Sequence, residues 1–184
     1  MKFPRALILA LLLATTPGSL AQAQEKPPSS FSGKAPDCVA TMGALPKPFD
    51  GAAFAVTGDT LAVVGLKPRV RIWGIQAPEL RDRDGQETVP GMRARAALDD
   101  LLTPADHLIH CNPGKWDHDC RIVALCVART TEIGGRMIDN GMAYGFDLHD
   151  VDKADVPLSL SYAESEAAAR RALRGLWPDW LGRK

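Results

Sequence analysis

Residues 56–80 contain three side chains whose chemistry suits a phosphate group. Asp59 and Glu79 carry carboxylates, which can hold a cation or accept a proton. Arg71 carries a guanidinium, whose planar donors can bind two oxygens of an oxyanion and which stays protonated. If the fold brings these three side chains together, this stretch can bind a phosphate and act on it.

The intervening residues predict the two strands that would position these groups. The first strand covers residues 60–66 and the second covers residues 69–75, with a glycine and a Lys-Pro pair forming the turn. The second strand alternates arginine with aliphatic residues, which is the period of a half-buried strand. Pro78 ends the sheet pairing and leaves Glu79 at a strand end. This hairpin would bring the two carboxylates and the guanidinium into one neighbourhood.

The length of 184 residues suits one domain with appendages. Residues 1–23 predict a secretory signal peptide, because a short basic start and a leucine-rich apolar run precede a small-x-small cleavage signal. Residues 24–37 are rich in Pro, Ser and Lys and predict a flexible leader. The domain itself would span residues 38–184, with its core at about 54–177. We therefore expect an exported protein, periplasmic or secreted, without membrane insertion.

Charge argues against a protein that coats duplex nucleic acid. Without the signal peptide the chain carries 20 basic and 22 acidic side chains, a net charge of about −2. Passive, non-specific duplex binding normally requires a strong positive excess. Any contact with nucleic acid would depend on positive charge concentrated locally, at Arg69, Arg71 and Arg121.

Four cysteines follow the predicted cleavage site: Cys38, Cys111, Cys120 and Cys126. Export favours two disulfides, for which three pairings are possible. Cys111 and Cys126 fall on strands expected to be adjacent and antiparallel, so we predict that bridge and, with it, Cys38–Cys120. A zinc site using these cysteines and His110 or His118 is the alternative, but the chain lacks CxxC spacing.

The remaining pattern predicts a mostly β core with helices on one side. Further strands are expected at 54–57, 107–111 and 121–127, and helices at 92–102, 134–140 and 158–173, while residues 38–53 and the turn region 112–119 are expected to lack regular structure. This order favours an α+β domain built on a five-stranded barrel with about three helices. An acidic loop (Asp147, His149, Asp150, Asp152 and Asp155) could suggest a metal site, but its spacing fits no EF-hand, so we interpret it as solvated.

The order of the motifs resembles the staphylococcal nuclease (thermonuclease) family. Gly58-Asp59-Thr60 is followed by a strand carrying arginine and then by Ala77-Pro78-Glu79. Segments 140–143 and 163–177 continue the likeness, which covers residues from about 54 to 177. The resemblance implies an SNase-like OB-type barrel, a fold whose strand face suits oligonucleotides.

The resemblance also implies residue roles. Glu79 would be the general base, and Arg71 and Arg121 would grip the phosphate, with Arg121 following a turn that contains Asp117. The implied substrate is DNA, RNA or both, cleaved by a monomeric nuclease with little sequence preference.

The implied cofactor is Ca²⁺, held by Asp59, Gln76 and the carbonyl oxygen of Ala77. Gln76 stands where the family has a second aspartate. An amide oxygen can coordinate Ca²⁺, but the site loses one negative charge, worth a few kcal/mol at an effective dielectric of about 20. We expect weaker cation binding, or another divalent metal, and lower activity.

A second departure lies beside Arg121. Asp119-Cys120 stands where the family has Tyr-Gly, which removes an aromatic ring able to stack on a base. Trp116 is the candidate replacement, and Arg69 is a further candidate contact to nucleic acid. These departures motivate an alternative, in which the fold has become a nucleic-acid-binding or structural module of the cell envelope.

Overall fold

The structure, a computed structural model, describes residues 38–148 and 156–182. Within them it has five α-helices: α1 (Cys38–Met42), α2 (Val89–Leu102), α3 (Ile133–Asp139), α4 (Val156–Arg171) and α5 (Trp177–Gly182). It has eight strands there: β1 (Phe49–Ala55), β2 (Thr60–Val63), β3 (Val70–Ile72), β4 (Ile75–Gln76), β5 (Leu108–Trp116), β6 (Ile122–Ala128), β7 (Thr131–Glu132) and β8 (Tyr144–Gly145).

Five of the strands close into a barrel. β1 pairs antiparallel with β2 and β5, β2 pairs antiparallel with β3, and β5 pairs antiparallel with β6. β3 and β6 then pair in parallel, with Val70 opposite Ile122, and this closes the ring. β4 and β8 form a separate ribbon in which Gln76 lies opposite Tyr144. The predicted α+β class and five-stranded barrel are confirmed.

Alternate strand residues fill the barrel. Leu61 and Val63 of β2 are buried and Ala62 between them is exposed, because successive side chains of a strand point to opposite faces. α2 packs against β1 and contributes Leu98 and Leu102, both fully buried. Burying each such leucine contributes about 1.5–3 kcal/mol. The packed interior gives the polar groups at the strand ends a rigid support.

The boundaries differ from the sequence predictions in several places. The strand predicted at 69–75 is divided into β3 and β4, and the strand predicted at 54–57 corresponds to the end of β1. Residues 38–53, expected to be irregular, contain α1 and most of β1. β5 continues as far as Trp116 where a turn was predicted, because a bulge between Pro113 and Lys115 lets the strand pass a proline. The three predicted helices correspond to α2, α3 and α4, and the short helices α1 and α5 were missed.

Some predictions concern segments outside the described residues. These are the signal peptide (1–23), the leader (24–37) and the acidic-loop residues His149, Asp150, Asp152 and Asp155. In the part of the chain that the structure describes, no helix combines the length and apolar character needed to cross a bilayer.

Candidate active site

A surface cavity of about 480 Å³ gathers the side chains suggested for phosphate chemistry. We call it the arginine cavity, after Arg71 and Arg121 in its wall. Its lining also includes Asp59, Gln76, Ala77, Glu79, Trp116 and Asp117. Arg69, the other suggested contact, is exposed and lies outside this lining.

The barrel pairings explain why the two arginines meet. Thr60 of β2 lies opposite Arg71 of β3, so Asp59, one residue earlier, reaches the same end of the barrel. Arg71 also lies opposite Val123 in the parallel β3–β6 pairing. Arg121 immediately precedes β6 and therefore lies at the start of the strand that neighbours Arg71.

Asp59 is buried and fully hydrogen-bonded. Its Oδ1 accepts from the hydroxyls of Thr57 (2.8 Å) and Thr60 (2.9 Å). Its Oδ2 accepts from the backbone N–H of Ala77 (3.1 Å) and from Nη1 of Arg71 (3.4 Å). Only 5% of the residue is exposed, and hydrogen-bond partners of this kind offset the cost of burying a carboxyl group. Asp59 therefore anchors the segment after β4 and pairs with the first arginine.

Gln76 bridges the first arginine and a main-chain carbonyl. Its Oε1 accepts a 2.7 Å hydrogen bond from Nη2 of Arg71, and its Nε2 donates to the oxygen of Ala77 at 3.1 Å. A guanidinium can only donate and a carbonyl can only accept, so one amide orientation alone satisfies both partners. Nη2 of Arg71 also donates to the oxygen of Ile75 at 3.2 Å. These bonds fix the position of the guanidinium.

Arg121 is held by two aspartates of its own turn. Its Nε donates to Oδ2 of Asp117 at 2.7 Å, and its Nη2 lies 3.3 Å from Oδ2 of Asp119. Burial raises the pKa of the Asp117 carboxyl, but hydrogen bonds and the positive charge of Arg121 outweigh burial, so the net pKa is lowered. Asp117 therefore stays ionised and orients the guanidinium.

Glu79 has a fixed backbone and an uncommitted side chain. The residue is exposed, and its carboxylate makes no hydrogen bond or ion pair with any described residue. Its carbonyl oxygen accepts a 2.6 Å hydrogen bond from the hydroxyl of Thr88, the N-cap residue of α2. The same hydroxyl accepts from the N–H of Gly91 at 3.0 Å. The start of α2 thus holds Glu79 at the cavity wall while its carboxylate remains available.

Both disulfides have the pairing predicted from the sequence. Cys111 and Cys126 lie directly opposite each other on β5 and β6. Cys38 is bonded to Cys120, the residue before Arg121, and ties the start of the domain to the arginine turn. Because all four cysteines are bonded, the alternative zinc site is wrong.

The aromatic residues of the arginine cavity include one that sequence reasoning missed. Trp116 lines the cavity, but its indole N–H is buried without an acceptor among the described residues, and its ring packs against the core. Phe146 is 47% exposed, and the Cζ of Arg71 lies 5.5 Å from its ring centroid. No local sequence pattern indicated that the strand before Phe146 pairs beside Gln76.

The oxygen atoms of the expected cation site are of the chemical type that binds a hard cation. Asp59, Gln76 and the Ala77 carbonyl offer the oxygen ligands that Ca²⁺ prefers, and hydrogen bonds bring all three together. The same oxygens are engaged internally, since Gln76 bonds both Arg71 and the Ala77 carbonyl. A cation would therefore have to turn the Gln76 amide away from that carbonyl and share Asp59 with a guanidinium.

A closed five-stranded barrel with a polar cavity beside two of its strands defines a protein of the OB-fold class. A family model described as "Staphylococcal nuclease homologue" matches residues 69–179, more than half of the chain. The chain therefore belongs to the staphylococcal nuclease family. Among curated proteins, the comparison found no match.

Proposed function

We propose that this domain is a nuclease that hydrolyses phosphodiester bonds of DNA and RNA with little sequence specificity. One observation carries the proposal: Glu79, Arg71 and Arg121 all line a single cavity, in which an unengaged carboxylate shares the wall with two guanidinium groups. That combination supplies a proton acceptor and charge stabilisation, the two things that phosphodiester hydrolysis requires.

In the proposed reaction a water molecule attacks the phosphorus. Glu79 accepts a proton from that water as the new P–O bond forms. Arg71 and Arg121 donate hydrogen bonds to the phosphoryl oxygens, on which negative charge increases. The bond to the leaving oxygen then breaks, and that oxygen takes up a proton from solvent. The products are a phosphomonoester and a free hydroxyl.

We propose Ca²⁺ as the cofactor, held by Asp59, Gln76 and the carbonyl oxygen of Ala77. When bound, a divalent cation stabilises negative charge on the phosphoryl group. Asp59 supplies the one full negative charge of this set, which makes the site weaker than one with two carboxylates. Another divalent metal with the same preference for oxygen is compatible with this set.

The composition of the arginine cavity supports a substrate recognised by its backbone. Guanidinium groups contact phosphate, which carries no sequence information. Arg69 and Trp116 would add secondary contacts to the chain. Two disulfides fit an oxidising compartment, which supports the expected export to the periplasm or medium. We propose that the exported protein acts as a monomer.

Hydrolysis of denatured DNA by the purified mature chain tests the proposal. With Ca²⁺ present we expect activity in the wild type and a loss of at least about a hundredfold in Glu79→Gln, the usual effect of removing a general base. Glu79→Gln preserves the size of the side chain and should leave folding unchanged. Equal inertness of wild type and variant across several divalent cations would overturn the catalytic assignment.

The alternative is a nucleic-acid-binding or structural module of the cell envelope that has lost catalysis. The internal engagement of Gln76 with Arg71 and the Ala77 carbonyl favours it, because these contacts close the cation site. The uncommitted Glu79 argues against it, since a binding module has no need of a base. Gln76→Asp separates the two: Ca²⁺-dependent hydrolysis above that of the wild type indicates a nuclease, and no hydrolysis by either protein indicates a binding module.

A further inference from the structure

A second cavity, of about 670 Å³, lies on the other side of the Pro78-Glu79 segment. We call it the tyrosine cavity, after Tyr144 in its wall. It shares four lining residues with the arginine cavity, the continuous run 76–79. Glu79, the proposed general base, therefore lines both cavities. A nucleic-acid strand that passes over Glu79 can contact both of them.

Aromatic rings give the tyrosine cavity a stacking surface. Tyr144 is 37% exposed and lies opposite Gln76 in the β4–β8 ribbon. The Trp180 ring meets it edge-on, with 5.7 Å between ring centroids. Phe146 stands two residues further along, and its N–H donates to the Gly74 carbonyl. Phe146 lines the arginine cavity and Tyr144 lines the tyrosine cavity, so an aromatic ring is present in each.

The tyrosine cavity carries two arginines and two acids, Glu79 and Asp82, and the Asp82 carboxylate accepts from the backbone N–H groups of Asp84 and Gln86. Arg81 is engaged by Glu87 and by the carbonyl of Gly85. Arg83 also lines the cavity, and its guanidinium has no partner among the described residues. One free cation beside aromatic faces can meet the phosphate next to a stacked base.

We propose that the tyrosine cavity binds the nucleoside adjacent to the scissile phosphate, with its base stacked on Tyr144 and the next phosphate at Arg83. This inference rests on the proposed function and specifies its substrate as a single strand. A base can stack on Tyr144 only after leaving its neighbours in a duplex. Because the two cavities share residues 76–79, one continuous strand that has its scissile phosphate in the arginine cavity can place its neighbouring nucleoside in the tyrosine cavity.

Binding to Glu79→Gln, which prevents cleavage, provides the test. The probes are a single-stranded hexathymidylate, a hairpin that holds the same six thymidylates in a base-paired stem, and inorganic phosphate, which carries no base to stack on Tyr144. Loss of base stacking typically costs a factor of about 5 to 150, so Tyr144→Ala should weaken hexanucleotide binding by about tenfold. It should change binding of inorganic phosphate less than about twofold. Tyr144→Phe, which keeps the ring, should restore binding.

Two further variants sharpen the result. Arg83→Ala should lower the slope of log affinity against log salt by about one. Phe54→Ala is the matched control, because Phe54 is 50% exposed and lines neither cavity; it should bind like the parent. Hexanucleotide binding unaffected by Tyr144→Ala, or duplex bound as well as single strand, would overturn the inference.

Failure of this inference and failure of the proposed function are distinguishable. A wild type that hydrolyses DNA although Tyr144→Ala leaves its binding unchanged refutes the tyrosine cavity alone. A wild type that never hydrolyses DNA but loses affinity on Tyr144→Ala refutes catalysis and leaves the binding path standing.

Discussion

Nη2 of Arg71 donates a 2.7 Å hydrogen bond to Oε1 of Gln76, the residue that replaces an acid in the expected cation site. Gln76 therefore positions Arg71, the arginine that we propose to bind phosphate, and the Ala77 carbonyl is engaged by the same amide. If Gln76 holds the proposed cation, cation binding and the position of Arg71 are coupled through this one side chain. The coupling gives the first prediction.

Gln76→Asp should bind Ca²⁺ at least about tenfold more tightly than the wild type, because a second carboxylate near the cation adds a Coulomb attraction of a few kcal/mol at an effective dielectric of about 20. Gln76→Leu should bind it more weakly than the wild type, because one oxygen ligand is lost. Calorimetric titration with Ca²⁺ in the absence of substrate measures both. Equal affinities in all three proteins would show that the cation binds elsewhere.

Arg71→Ala and Glu79→Gln should differ sharply in stability. The Arg71 side chain is 13% exposed and its partner Asp59 is 7% exposed. Removing one partner of such a pair leaves a buried charge and typically costs 3–5 kcal/mol. We expect a loss of about that size for Arg71→Ala and less than about 0.5 kcal/mol for the exposed Glu79→Gln. Urea unfolding measures both, and equal losses would contradict the burial argument.

Removing either disulfide should lower stability, but only removal of Cys38–Cys120 should weaken phosphate binding. Replacing Cys38 and Cys120 by alanine opens a sequence separation of 82 residues, and replacing Cys111 and Cys126 opens one of 15. The chain-entropy relation gives losses of about 4–5 and about 3 kcal/mol respectively.

Only the first replacement frees the turn that carries Arg121. Binding of thymidine 5′-monophosphate, measured at a temperature where both double variants are folded, should therefore weaken by about tenfold without Cys38–Cys120, as expected when one charged hydrogen bond is lost. It should remain unchanged without Cys111–Cys126. Equal effects would show that the first disulfide does not position the arginine.

Gly91→Ala should displace Glu79. A Cβ added at Gly91 would approach the Glu79 oxygen, Leu80 Cα and Glu79 carbonyl carbon at 2.3, 2.5 and 2.8 Å, so the backbone must shift. We expect destabilisation of about 1–3 kcal/mol from overpacking together with a fall in kcat. Gly114→Ala is the control, because its Cβ would make only an ordinary 3.7 Å contact with the Val123 oxygen. Unchanged kcat in Gly91→Ala would refute the positioning role of α2.

The Asp117–Arg121 pair predicts an acid-dependent loss of stability. The folded-state pKa of Asp117 is lowered from 3.8, so its contribution is fully present above that value and is lost as pH falls through the lower folded value. The difference in unfolding free energy between wild type and Asp117→Asn should thus be constant at neutral pH and shrink in strong acid. A difference that grows on acidification would contradict the sign of the shift.

Local sequence patterns were sufficient to predict the β2–β3 hairpin, the family and the disulfide pairing. Strand periodicity between residues 60 and 75 predicted the hairpin, because a half-buried strand must alternate. The order of Asp59, Arg71 and Glu79 indicated the family, and two cysteines expected on paired strands indicated the disulfides. Strand alternation and motif order can be recognised from residues close together in the chain. The disulfide pairing follows from the expected pairing of the two strands that carry the cysteines.

The tertiary structure alone decided what the polar groups touch. Gln76 was expected to face a cation, yet the fold brings the guanidinium of Arg71 and the Ala77 carbonyl within hydrogen-bond distance of its amide. Tyr144 and Phe146 reach the cavities because β8 pairs with β4, a contact between distant parts of the chain that leaves no local pattern. Hydrogen-bond partners depend on distances set by packing, and a linear sequence does not specify those distances.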